Sequence, residues 1–179
     1  MRYLKFLLIS LIYFFILYLY LINDSNKHLL GIIFDSFGIN CFTALYFLFL
    51  FFACKTTLND KFFKHHKIEK SGTLYKLLGV RVFKNILAKN PSATFTGKLS
   101  LKSYSIKGLN QLENDMRVAE TIHFQALLTG VIITIPFGYF RNSRFYYFMI
   151  IFNILVNFYP VLVQRYNRNR IFTILNRHI

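Results

Sequence analysis

Residues 124–140 read FQALLTGVIITIPFGYF, residues 141–144 read RNSR, and residues 145–163 read FYYFMIIFNILVNFYPVLV. Each apolar run is close to the length a helix needs to cross the hydrocarbon core of a bilayer. The four polar residues between them leave room only for a tight reversal, so the two helices are expected to be antiparallel neighbours. Glu120 and His123 stand just before the first run, and Gln164, Arg165, Tyr166, Asn167, Arg168, Asn169 and Arg170 directly follow the second. Counted from the middle of the turn, His123 is about 20 residues away and Gln164 about 22, which at helical rise puts them within roughly 3 Å in height. Asn157 falls roughly 8 Å deeper, and Asn153 shares its face. Polar groups on a membrane helix avoid lipid, so that face is expected to point at other helices.

The composition of the whole chain fits this start. Of 179 residues, 55% are hydrophobic, with 22 Phe, 12 Tyr and no Trp. A soluble domain of this size has too little interior for so many large apolar side chains. Two further apolar runs, 3–22 and 37–54, account for most of the remainder. The expected fold is all-α: a single polytopic membrane domain, 1–179, with about four transmembrane helices, 3–22, 37–54, 124–140 and 145–163. A basic segment, 55–123, lies between the second and third.

The formal net charge is +15. A basic chain can be reading nucleic acid, but here the charge follows membrane topology. Segment 55–123 carries 13 Lys/Arg against 5 Asp/Glu, and the tail adds Arg165, Arg168, Arg170 and Arg177. The first connection, 23–28, is nearly neutral, with Asp24 and Lys27, and Arg141 and Arg144 fall on the same side as it. The positive-inside rule therefore predicts a multi-pass cell-membrane protein with both termini and the central segment cytoplasmic. Anionic lipid headgroups, rather than nucleic acid, are the expected partners of this charge.

The first run has the basic start of a signal peptide but a longer apolar body and no small-x-small cleavage site, so it reads as an uncleaved anchor. Asn23, Asp24, Ser25 and Asn26 form a turn cluster, and Asp35 reads as an interfacial carboxylate before the second span. Lys61, Phe62, Phe63 and Lys64 read as a segment at headgroup level. Leu74, Leu77, Leu78, Phe83 and Leu87 allow one or two short surface helices broken near Gly79. Residues 91–108 read as a loop rich in Ser, Thr, Gly and Lys. A helix then resumes at Leu109, with Glu113 and Arg117 four apart, and runs into the third span, which Pro136 is expected to kink.

The chemistry candidates lie where the hairpin returns. Glu120 and His123, at i and i+3, share a helix face, and a carboxylate near an imidazole can fix its orientation for general-base work. Arginines that stop a span are what topology requires, but Gln164, Asn167 and Asn169 add nothing to orientation. With Arg165, Arg168 and Arg170 they form a donor array suited to phosphate or carboxylate. No metal site is expected. The single Glu-x-x-His has no second copy, His65 and His66 are adjacent and face apart, and Cys41 and Cys54 are too far apart along one helix for a disulfide. Phosphate-cradling glycine loops and the Gly-x-Ser-x-Gly elbow are absent, and no cofactor is implied. Any transfer would then be direct attack by a substrate hydroxyl rather than a covalent enzyme intermediate.

Arg117, Val118, Ala119, Glu120, Thr121, Ile122 and His123, then a hydrophobic hairpin with Asn157 and Pro160, then Val163 through Gln164, Arg165, Tyr166, Asn167, Arg168, Asn169, Arg170 and Ile171, resemble the glycosyl-4,4'-diaponeurosporenoate acyltransferase family. Ile68, Glu69, Lys70, Gly72 and Tyr75, with Val80, Arg81, Phe83, Lys84, Ile86 and Leu87, look like its central segment. Asn169 stands where the family pattern has proline, and Pro160 is displaced by one position. The resemblance implies a small membrane enzyme that acylates a carotenoid glucoside. The acceptor would be a carotenoid glycoside or similar glycolipid and the donor an acyl thioester.

The resulting expectation is an integral membrane acyltransferase with His123 as general base and Glu120 orienting it. Asn157, Gln164, Arg165, Asn167, Arg168 and Arg170 would bind substrate, with Asn157 or a nearby amide stabilising the oxyanion. The alternative is a non-catalytic membrane protein that binds anionic lipid or scaffolds envelope or pigment enzymes. It predicts that Arg165→Lys is silent, whereas a bidentate site would not tolerate it. A transporter would need polar residues along a whole helix rather than at one end.

Overall fold

A computed structural model of the chain describes residues 2–22, 28–64, 69, 72–89, 105–140 and 143–176. Every regular element among them is helical: α1 (Arg2–Ile22), α2 (Leu29–Cys54), α3 (Thr73–Leu77), α4 (Val80–Lys89), α5 (Ile106–Phe140), α6 (Ser143–Asn153), a π-helical turn (Ile154–Phe158) and α7 (Tyr159–Leu175). Among the described residues, three helical runs are long and apolar enough to cross a membrane: Leu29–Cys54, Ile106–Ile135 and Arg144–Leu175. A shorter apolar helix, Tyr3–Leu19, precedes them. The turn cluster at 23–26, the paired His65 and His66, Arg141, Arg177 and most of the loop at 91–108 lie outside the described residues.

The chain divides into two compact units, Met1–Thr57 with Ile122–Phe158, and Leu58–Thr121 with Tyr159–Ile179. In the first unit α1, α2, the second half of α5 and α6 pack around Tyr13, Leu17, Ile32, Ile39, Ile133, Phe145 and Met149. The buried positions of α2 include Ile32, Ser36, Ile39, Asn40, Thr43, Leu50 and Cys54. They recur at three- and four-residue intervals and make one helix face. The large apolar residues Phe34, Phe37, Leu45, Phe49 and Phe52 are exposed. Small and polar residues inside with phenylalanine outside suit an element solvated by lipid, where close approach and side-chain hydrogen bonds hold helices together. The hydroxyl contacts Ser10–Tyr46 (2.9 Å) and Tyr13–Thr43 (3.1 Å) join α1 to α2 in this way.

The helix α2 begins at Leu29, eight residues before the expected start of the second span. Asp35 therefore lies inside the helix rather than ahead of it. The apolar residues from Leu29 to Phe34 supply enough helix to carry it. At its other end, Lys55 adopts a left-handed conformation (φ 51°) and its N–H caps the Phe51 carbonyl at 2.7 Å.

In the second unit, Leu109, Leu112, Met116 and Ile171 form the apolar core, with Leu175 against it. Gly79 separates α3 from α4 at φ +66°, a conformation open to glycine at little cost. Phe62 and Phe63 sit in a tight turn closed by Phe62 N–H to Asn59 O (2.9 Å) and Phe63 N–H to Asp60 O (3.1 Å). Phe63 is buried inside this unit. The cause is a set of arginines that hold the turn from within.

Candidate active site

In the first unit three asparagines and a histidine form one connected polar group. Asn157, in the π-helical turn, is fully buried, and its Nδ2 donates to Asn153 Oδ1 (2.9 Å) and reaches Asn40 Oδ1 (3.5 Å). Asn40 Nδ2 donates to the carbonyls of Ser36 (2.9 Å) and Met149 (3.3 Å). Asn153 Nδ2 donates to the carbonyl of Leu127 on α5 (3.0 Å). His123 ends the group, with Nδ1 3.5 Å from Asn157 Oδ1. The close approach has a backbone condition: a Cβ at Gly130 would fall 2.7 Å from both Asn153 Nδ2 and Asn153 Oδ1. A π turn adds a residue to the helical turn and is frequent where a helix carries function. Here it is the segment that holds Asn157.

The hydrogen-bond roles constrain the imidazole. Asn157 uses its amide nitrogen on Asn153, so its carbonyl oxygen is what faces His123, and an acceptor there calls for the hydrogen on Nδ1. That tautomer leaves the lone pair on Nε2.

In the second unit, Glu120 and Arg168 are both buried, and Arg168 Nη1 donates to Glu120 Oε2 at 2.7 Å. The other nitrogens of Arg168 are also engaged, Nε with Glu113 Oε1 (3.3 Å) and Nη2 with the carbonyl of Phe63 (2.7 Å). Arg165 pairs through Nε with Glu69 Oε1 (3.1 Å), approaches Glu120 Oε1 at 3.6 Å, and donates from Nη2 to the carbonyl of Phe62 (3.0 Å). Arg117 joins Glu113 (2.7 Å) to Asp60 (2.9 Å). The guanidiniums of Arg165 and Arg168 also lie over the rings of Phe62 and Phe63, at 5.0 and 4.9 Å from the centroids. Three arginines thus clamp the turn at 59–64 onto α5 and α7.

The expected site residues are therefore divided. His123 and Asn157 meet directly. Glu120, Arg165 and Arg168 come together as an internal ion network. All three nitrogens of Arg168 bond within the protein, and the Glu120 carboxylate bonds to Arg168 while the His123 imidazole meets Asn157. Gln164 is buried, and its Oε1 has no hydrogen-bond partner among the described residues. Asn167 accepts from Lys84 Nζ (3.0 Å), Asn169 donates to the carbonyl of Glu69 (2.7 Å), and Arg170 is exposed.

Sequence reading assigned no site role to Asn40, Glu69, Phe63 or Lys84. Asn40 carried a signal, since Ser36, Asn40 and Thr43 make a polar stripe at helical spacing in an otherwise apolar run. The others are joined to partners 83 to 105 residues away in sequence, which no local pattern encodes.

Residues 59–177, about two thirds of the chain, match the family model described as CrtO, glycosyl-4,4'-diaponeurosporenoate acyltransferase. The chain belongs to this acyltransferase family. The matched region contains the arginine clamp, His123, the π turn and α7, while α1 and α2 precede it. No curated protein and no solved structure matches the chain.

Proposed function

We propose that this member of the carotenoid-glycoside acyltransferase family is a multi-pass membrane enzyme that transfers an acyl group from a thioester to a hydroxyl of a lipid-like glycoside. The family name supplies the acceptor class, a carotenoid glycoside. The observation that carries the mechanism is the seating of His123 on a buried asparagine chain inside the family-matched region.

His123 Nε2 accepts the proton of the acceptor hydroxyl as its oxygen attacks the thioester carbonyl carbon. The resulting tetrahedral oxyanion collapses with cleavage of the C–S bond, and the imidazolium returns the proton to the departing thiolate. Atoms and charge balance with no other reactant. Asn157 holds the ring in the tautomer this needs, and Asn153 and Asn40 hold Asn157. This is a change from the sequence expectation, in which Glu120 orients the ring and Asn157 serves the oxyanion. Glu120 acts instead as the anionic anchor of Arg165 and Arg168. An amphiphilic glycoside would dissolve in the bilayer with its sugar at headgroup level, the depth that residue counting gives His123.

The positive-inside distribution supports cytoplasmic termini and a cytoplasmic central segment, on the side where acyl thioesters are made. Lipid extracts of a host supplied with a carotenoid glycoside, with and without the protein, test the reading. The expected product is heavier than the glycoside by one acyl residue, and its absence at full protein expression overturns the assignment.

A further inference from the structure

The second unit has a surplus of positive charge at one place. Its acidic residues are Asp60, Glu69, Glu113, Asp115 and Glu120. Four of them pair with Arg117, Arg165 or Arg168, and Asp115 is exposed on α5. Arg81 and Arg170 have no acidic partner among the described residues, nor has Lys84, which donates to the neutral Asn167.

Two of these cations, Lys84 and Arg170, meet at one ring, and Arg81 lines the same cleft as that ring. Lys84 Nζ and Arg170 Cζ each lie 6.0 Å from the centroid of Tyr166. Arg81 and Arg170 line a cleft of about 340 Å³, with Tyr166, Asn169 and Thr173 among its other walls. On α7, residues 166, 169, 170 and 173 share a face, so that wall is built by helical spacing alone. Burial and the neighbouring Arg170 lower the pKa of Lys84, while Tyr166 opposes them. A like-charged cluster of this kind is stabilised when an anion enters it.

We propose that the cleft between Arg81 and Arg170 is a phosphate-binding site. Two exposed guanidiniums offer forked donors that match phosphate oxygens, and Lys84, beside Tyr166 and Arg170, adds positive charge next to the cleft. The volume admits a phosphate ester and part of what it is attached to. The phosphate has two possible sources, a nucleotide-bearing acyl donor or an anionic phospholipid headgroup. In the first case the site rests on the acyltransferase reading; in the second it does not.

The test uses the full chain in phosphatidylcholine nanodiscs and measures binding without turnover. One arm titrates coenzyme A; the other adds phosphatidylglycerol to the discs and measures its enrichment around the protein. Arg81→Gln combined with Arg170→Gln is compared with the parent and with Lys107→Gln, an exposed control on α5. The expected result is a loss of roughly tenfold or more in binding of one probe in the double variant only. Loss for coenzyme A assigns a donor site, and loss for phosphatidylglycerol a headgroup site. Equal binding of both probes by the parent and a double variant of unchanged melting temperature overturns the proposal. If the double variant fails to fold, Arg81→Lys with Arg170→Lys keeps the charge but not the forks, and parental binding by it also overturns the proposal. Parental binding by His123→Ala is expected in either arm, which separates failure of the cleft from failure of the proposed chemistry.

Discussion

Arg168 Nη1 and Glu120 Oε2 stand 2.7 Å apart, with side chains only 1% and 0% exposed. Two charges so deeply buried are tolerable only because each is further engaged: Arg168 by Glu113 and the Phe63 carbonyl, Glu120 by the nearby Arg165. Removing one member leaves the other uncompensated. Glu120→Ala is expected to destabilise the protein by about 3–5 kcal/mol. Glu120→Gln, which keeps an acceptor but not the charge, should cost less. Thermal melting of both variants in detergent measures the difference, and equal melting temperatures for parent and Glu120→Ala would refute the role given to this pair.

Tyr75 is 1% exposed, and burial followed by the Glu69 carboxylate raises its phenol above the ordinary value of 10.0. The sign follows from linkage. The folded state holds the phenolic proton more tightly than the unfolded state, so the stability is fully present below about pH 10 and is lost as pH rises beyond it. The slope amounts to about 1.4 kcal/mol per pH unit for one proton. Tyr75→Phe lacks that proton. Its stability between about pH 10 and 11 should therefore fall less steeply than the parent's, and parallel curves would count against the assignment.

Gly130 admits Asn153 against the backbone of α5, and a Cβ there would meet the Asn153 amide at 2.7 Å. Gly130→Ala should displace that amide from the Leu127 carbonyl and from Asn157. The expected cost is about 1–3 kcal/mol from overpacking, with reduced transfer because His123 loses its support. Gly108→Ala, near the start of α5 and away from Asn153, is the comparison on the same helix, and parity of the two variants in both assays would contradict the account.

The spans and their order were readable because apolar length is a strong local signal, and a four-residue link between runs 124–140 and 145–163 allows few topologies. The break at Gly79 and the Glu113–Arg117 pair were readable for the same reason, each lying within a few residues of sequence. The contacts among the candidate site residues were not legible in the same way. Glu120, His123, Asn157 and the arginines drew notice by type and position, yet their partners did not follow. Helical spacing offered Glu120 to His123, while the fold assigns it to Arg168, 48 residues further on. The competition between a local pair and a remote guanidinium is decided by tertiary packing. The bond from the Asn157 amide to Asn153 likewise joins residues whose common face was legible but whose pairing was not.

The central claim is that His123, held by Asn157, removes the proton from the acceptor hydroxyl. Acyl transfer to a carotenoid glycoside by purified His123→Ala protein, compared with the parent in the same nanodiscs and followed by mass, tests it most directly. The account predicts a fall of about 10²- to 10⁴-fold in rate at an unchanged melting temperature. Transfer at the parental rate by the folded variant would contradict it.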